Sequence, residues 1–212
     1  MTDARRYGTC ALWTAVTAIG YSLGLYAGLF LAHLALGPLM AAFSIGAGIG
    51  LAQRPVLQSW LEPRRSRAWS PADSAGWILG SVAGMVFVVA VVWTAVDRMG
   101  IEGDTVGWLG LVGTFALGGS LAGLIQKRVL RRYALASDRW IAASALGWGA
   151  SALGIGLAPV LAEQMFDLFV VLLAPAIGGL VMGLVTGCVL VRLPLRQHAP
   201  APPGASPSGR SG

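Results

Sequence analysis

Charge is the scarcest property of this sequence: Asp, Glu, Lys and Arg together make up 11% of its 212 residues, against roughly 25% in a soluble domain. Histidine and cysteine are rarer still, with two of each. A metal site needs a cluster of His, Cys, Asp or Glu, and two isolated histidines with two cysteines far apart in the chain do not supply one. No metal or cofactor is expected. The Gly-x-Ser-x-Gly elbow, the P-loop and the His-Glu-x-x-His helix are all missing, so no catalytic residue is assigned and the chain reads as a non-enzyme. Cys10 and Cys188 both fall near the inner face of a membrane, a reducing side, where a structural disulfide is not expected. His33 reads as a wetted residue at the outer end of the first span, and His198 belongs to the tail.

The same scarcity has a pattern. Asp, Glu, Lys and Arg are missing from residues 7–53, 74–96, 105–126, 140–162 and 168–191, runs of 47, 23, 22, 23 and 24 residues. Crossing the hydrocarbon core takes about 20 apolar residues, so the last four runs hold one helix each and the first holds two, turning at Gly37-Pro38. The runs are continuously apolar and rich in Ala, Gly and Leu, which excludes the alternation of a β-barrel. The expected fold is therefore all-α and integral to the membrane. Six spans are predicted at about 10–33, 37–53, 75–96, 105–126, 140–162 and 166–191. Apart from Asp167 at the outer edge of the sixth, none contains an ionisable Asp, Glu, Lys or Arg, which disfavours a proton-driven pump. Arg5-Arg6 before an apolar run resembles a secretory signal, but that run is far longer than a cleavable segment.

Fourteen of the fifteen basic residues fall on one side of this layout, with Arg98 alone on the other. The positive-inside rule then places both termini in the cytoplasm and the chain in the cytoplasmic (inner) membrane. A net charge of +6 could suggest nucleic acid. The basic residues sit in short loops against the bilayer, however, where anionic lipid is the nearer partner. Arg54, Lys127, Arg128, Arg131 and Arg132 are the candidate headgroup contacts. They lie on sequences such as Val56-Leu57 and Val129-Leu130 whose apolar positions share one helix face, which predicts amphipathic extensions with that face in the acyl boundary.

The ends of the even-numbered spans repeat. Residues 46–57 read GAGIGLAQRPVL, 119–130 GSLAGLIQKRVL and 179–190 GLVMGLVTGCVL, a shared G-x-x-x-G-L-x-[Q/T]-x-x-V-L. The odd-numbered spans pair a Trp with a Gly seven residues on: Trp13 and Gly20, Trp77 and Gly84, Trp140 and Gly147. Those tryptophans are expected at the inner water interface. Each repeat is thus an out-and-back hairpin, at about 10–60, 74–133 and 137–193. Because all three start on one side they are parallel, with a pseudo-threefold bundle as the natural packing and a linear row of hairpins as the rival. Residues 1–9 form a cytoplasmic N-terminus, 10–198 the membrane domain, and the Pro-, Gly- and Ser-rich 199–212 a disordered tail.

Small residues recur at helical spacing on every span, and lipid-embedded helices associate through such residues. Gly20, Gly24, Gly46, Gly50, Gly84, Gly119, Gly123, Gly147, Gly179 and Gly183 are the predicted packing positions. Gln53, Gln126 and Thr186 occupy one equivalent depth, where they would either line a common polar cavity or cap their helices. With Gly119-Ser-Leu-Ala-Gly-Leu-Ile-Gln-Lys-Arg-Val-Leu-Arg-Arg132 followed by Trp140-Ile-Ala-Ala-Ser-Ala-Leu-Gly-Trp148, the chain resembles uncharacterised bacterial multi-pass membrane proteins with a repeated glutamine, Val-Leu-Arg-Arg and Trp signature. The resemblance covers about residues 10–192 and implies the repeat architecture but no activity. The functional expectation is a scaffold or accessory subunit whose partners are lipids and another membrane protein or a second copy. The alternative is a small transporter or substrate-binding membrane subunit for a neutral or hydrophobic solute.

Overall fold

The computed structural model describes residues 3–33, 38–59, 67–87, 90, 94, 98, 103–131, 138–156 and 167–193. They form six α-helices and, among the described residues, no strand: α1 (Asp3–His33), α2 (Pro38–Gln58), α3 (Trp69–Phe87), α4 (Gly103–Leu130), α5 (Asp138–Gly156) and α6 (Asp167–Leu190). Within these, Ala4–Leu31 and Leu173–Leu190 are long and apolar enough to cross a membrane. The 199–212 tail, Arg132 and the far ends of the third and fifth predicted spans lie outside the described residues.

Four helix boundaries differ from expectation for one reason, that charge was used to mark the ends. Helix α1 begins at Asp3, not near 10, and carries Arg5-Arg6 in its first turns. Helix α3 begins at Trp69, not near 75, because a helix tolerates one carboxyl in its first turns, and Pro71 there needs no donor for its missing N–H. Asp73 is therefore inside α3 and fully buried, which corrects the expectation of spans without ionisable residues. Helices α2 and α4 run on through Arg54 and Lys127-Arg128 without a break. Their last turns are not surface extensions dipping apolar faces into lipid: Val56, Leu57 and Leu130 are buried inside the protein.

Each helix packs against two others, and the neighbours close into a ring, α1–α2–α3–α4–α5–α6–α1. Two sets of glycines make the alternate contacts. Those of the odd helices face the partner in the same hairpin: a Cβ on Gly20 would stand 2.5 Å from the Gly48 carbonyl oxygen, and one on Gly24 2.7 Å from the Ile45 Cα. Gly76, Gly80 and Gly84 likewise press on Ala122, Gly118 and Thr114 of α4, and Gly147 meets Met182 and Thr186 of α6 more loosely. The motif glycines of the even helices face the next hairpin instead. Gly46 and Gly50 meet Ser74 and Ser70, Gly119 and Gly123 meet Ser144 and Ile141, and Gly179 and Gly183 meet Ala18 and Thr14. The ten glycines singled out in the sequence are all at these internal contacts.

Outside the ring the side chains change character. Large aliphatic or aromatic residues are exposed on every helix: Ile19 and Leu23 on α1, Phe43 and Leu51 on α2, Leu79 and Val86 on α3, Leu117 and Leu124 on α4, Leu146 on α5, Leu180 and Leu184 on α6. The motif's Gly-Leu dipeptide accounts for three of them, with its Gly turned inward and Leu51, Leu124 or Leu184 turned out.

Candidate functional site

Each odd helix presents one inward face at i, i+4 and i+8, the spacing of two helical turns. On α1 these positions are Trp13, Thr17 and Tyr21; on α3 Trp69, Asp73 and Trp77; on α5 Trp140, Ser144 and Trp148. All nine are buried. The glycine at i+7, Gly20, Gly76 or Gly147, stands beside the third of them. The α3 counterpart of Trp13 is therefore Trp69 and not Trp77, eight residues earlier than the sequence pattern placed it.

The first layer is a triangle of indoles. Trp13, Trp69 and Trp140 meet edge to face, with ring centroids 6.1, 6.0 and 5.6 Å apart. Such edge contacts are favourable because the positive rim of one ring meets the negative face of another. Leu57, Leu130 and Leu190, the last residue of each motif, cover the triangle together with Val56 and Leu193. The tryptophans are thus sealed in the interior and do not sit at a water interface, because their N–H groups find partners within the protein.

Those partners are the polar residues of the motif. Trp69 Nε1 donates to Gln53 Oε1 at 2.8 Å, Trp140 Nε1 to Gln126 Oε1 at 2.8 Å, and Trp13 Nε1 to Thr186 Oγ1 at 2.9 Å. Every one of these bonds joins the last turns of an even helix to the start of the next odd helix, and the third bridges chain ends 173 residues apart. The two glutamines also reach back within their own hairpins. Gln53 Nε2 donates to Thr17 Oγ1 at 2.8 Å and Gln126 Nε2 to Asp73 Oδ1 at 2.6 Å. Thr186 is shorter and instead donates to the Met182 carbonyl oxygen at 2.8 Å. Gln53, Gln126 and Thr186 therefore neither cap their helices nor line an open cavity; they are buried clasps between hairpins.

The second layer is less complete. Trp77 and Trp148 pack at a 3.9 Å centroid distance and Tyr21 meets Trp77 at 6.0 Å. Trp77, Trp148, Gly80, Gly118 and Thr114 border a void of about 30 Å³, room for about one water. Among the described residues Tyr21 Oη, Trp77 Nε1, Trp148 Nε1 and Asp73 Oδ2 are buried without a hydrogen-bond partner. Asp73 was missed in the sequence because it was treated as the end of an uncharged run. Its signal was present, at the same four-residue step from Trp69 that separates Thr17 from Trp13 and Ser144 from Trp140.

The basic candidates divide. Lys127 pairs with Asp138 across the α4–α5 connection. Arg128 and Arg131 are exposed, while Arg54 is half-buried with its Nε unpartnered. Cys10 and Cys188, distant in sequence, are neighbours: their sulfurs stand 3.5 Å apart as free thiols where α1 meets α6. No protein-family model, curated protein or solved structure matches this chain.

Proposed function

We propose that the chain is a six-span membrane protein of three tandem, parallel hairpin repeats about a pseudo-threefold axis, and that it acts without catalysis as a scaffold or accessory subunit. The membrane reading is supported by the inverted distribution of side chains. Glutamine, aspartate, serine and threonine lie inside the ring, and leucine, isoleucine, valine and phenylalanine face out on all six helices. In water such a surface would be an aggregation liability; against acyl chains it costs nothing. Among the described residues Arg5, Arg6, Arg54, Arg67, Lys127, Arg128, Arg131, Arg139 and Arg192 lie at the helix ends next to the Trp triangle, which supports reading that side as the cytoplasmic one, with both termini there.

The observation that carries the functional reading is the filled layer at the Trp triangle. Three indoles, their amide and hydroxyl clasps and the covering leucines occupy the axis at that level. A conduit would need a passage there, and a scaffold needs only a rigid outline. Because the glycine stripes are consumed within the ring, a partner would dock on the outward aliphatic faces. Purification from native membranes in a mild detergent, with mass spectrometry of what co-isolates, tests this. A stoichiometric membrane partner is expected, and repeated recovery of the chain alone counts against the scaffold.

The unpartnered polar atoms in and beside the second layer favour a second reading, a small neutral solute bound beside Trp77 and Trp148. A thermal-shift panel of neutral solutes decides it: stabilisation lost on Trp148→Phe supports a substrate-binding subunit, and a flat panel leaves the scaffold.

A further inference from the structure

The outer surface of the second hairpin carries a groove that the helix packing leaves unused. It is an open groove of about 600 Å³ between Leu79 of α3, Leu124, Ile125, Lys127 and Arg128 of α4, and Arg131 just past the end of α4. Leu124, Arg128 and Arg131 stand at i, i+4 and i+7 on one face of α4, so an aliphatic wall runs directly into a cationic end. Lys127 is occupied by Asp138. Arg128 and Arg131 are exposed one turn apart and form no ion pair with a described residue. Two adjacent guanidiniums offer planar donor forks matched to phosphate oxygens.

We propose that this groove binds an anionic phospholipid of the leaflet at the Trp end. Its phosphate would lie on Arg128 and Arg131, and an acyl chain would run along Leu124 and Leu79. The shape argues for a lipid over a free anion, because a soluble phosphate would use the arginines and leave the two exposed leucines uncovered. The corresponding places in the other hairpins lack this cationic pair, since Pro55 and Gln58 in the first and Cys188 and Val191 in the third stand where the second has Arg128 and Arg131. The site is thus specific to the second hairpin. The inference rests on the bilayer reading above.

The test is native mass spectrometry of the full chain, purified in detergent and offered equal amounts of diphosphatidylglycerol and phosphatidylcholine. Wild type is expected to retain the anionic lipid selectively. R128Q/R131Q should weaken that retention roughly twentyfold, at about fivefold for each cation removed. The charge-matched R5Q/R192Q should retain it, and excess inorganic phosphate should not displace it. L79W, which fills the groove and keeps every charge, should also lose the lipid, so the result does not depend on one variant's folding. Equal retention by R128Q/R131Q, equal adducts of phosphatidylcholine, or displacement by phosphate would overturn the site. Detergent-phase partitioning of the same samples reads the premise separately: a chain that stays in the aqueous phase removes the bilayer reading, whereas a detergent-bound chain without lipid preference removes the groove alone.

Discussion

Gln53 and Gln126 occupy the same place in two hairpins yet carry unequal burdens. When Gln53 is lost, Thr17 keeps its own bond to the Trp13 carbonyl oxygen. When Gln126 is lost, both Trp140 Nε1 and Asp73 Oδ1 lose their partner, and Asp73 Oδ2 has none to begin with. A buried polar group left unpaired costs about 1–3 kcal/mol. Gln126→Leu is therefore expected to lower the detergent melting temperature more than Gln53→Leu or Thr186→Val, each of which orphans a single indole N–H, that of Trp69 or of Trp13. Adding Asp73→Leu to Gln126→Leu should recover part of the loss, because removing both partners is cheaper than stranding one. The three residues were visible in the sequence as a repeated polar position. Their bonds were not, since each partner lies in the next hairpin and nothing local announces which Trp it meets.

Among the helices, glycine spacing was the legible part, and its direction was hidden. A stripe with period four says that something comes close; only the ring says that odd-helix glycines serve their own hairpin and motif glycines the next. This difference predicts graded substitutions. A Cβ on Gly119 would stand 2.5 Å from the Ser144 carbonyl oxygen and 2.7 Å from the Trp148 Cβ, so Gly119→Ala must push α4 from α5, at a cost of about 1–3 kcal/mol. Gly149 has no neighbour nearer than 3.4 Å, and Gly149→Ala should leave the melting temperature within experimental scatter. The helix starting at Trp69 was misplaced because an acidic residue was read as a boundary, whereas burial beside Gln126 allows Asp73 to sit within the helix. The contact between α1 and α6 can be tested by chemistry. Mild oxidation with a thiol-specific oxidant should join Cys10 to Cys188, seen as faster migration on a non-reducing gel and absent from Cys188→Ser. A row of hairpins with its ends apart would give no such product.

For the molecule as a whole, the all-helical fold was legible in composition, because hydropathy is a property of the sum, and the same sum is the basis for proposing an apolar environment. The closure of the ring was a natural guess from parallel hairpins, but it depends on contacts between the first and last helices that no segment encodes alone. Outward Leu146, 66% exposed, offers a direct reading of the surrounding solvent. In water an exposed leucine tolerates arginine with little change. In a bilayer the same substitution costs about 2.5–3.5 kcal/mol at mid-depth, so Leu146→Arg is expected to reduce membrane insertion and yield sharply. Unchanged expression and folding of that variant would argue that the outer surface is not facing lipid.

The clasp from Trp13 to Thr186 makes the sixth helix the missing wall of the first. During synthesis α1 must wait, one flank open, until nearly the whole chain has emerged, and what guards that flank in the interval is a matter for the insertion machinery. Yet a closed ring has no privileged starting point. A circularly permuted gene, opened between α2 and α3 and rejoined through the Ala-, Pro- and Gly-rich tail, should encode the same bundle with its order of assembly rearranged, readable as an unchanged melting temperature beside an altered time course of protease resistance.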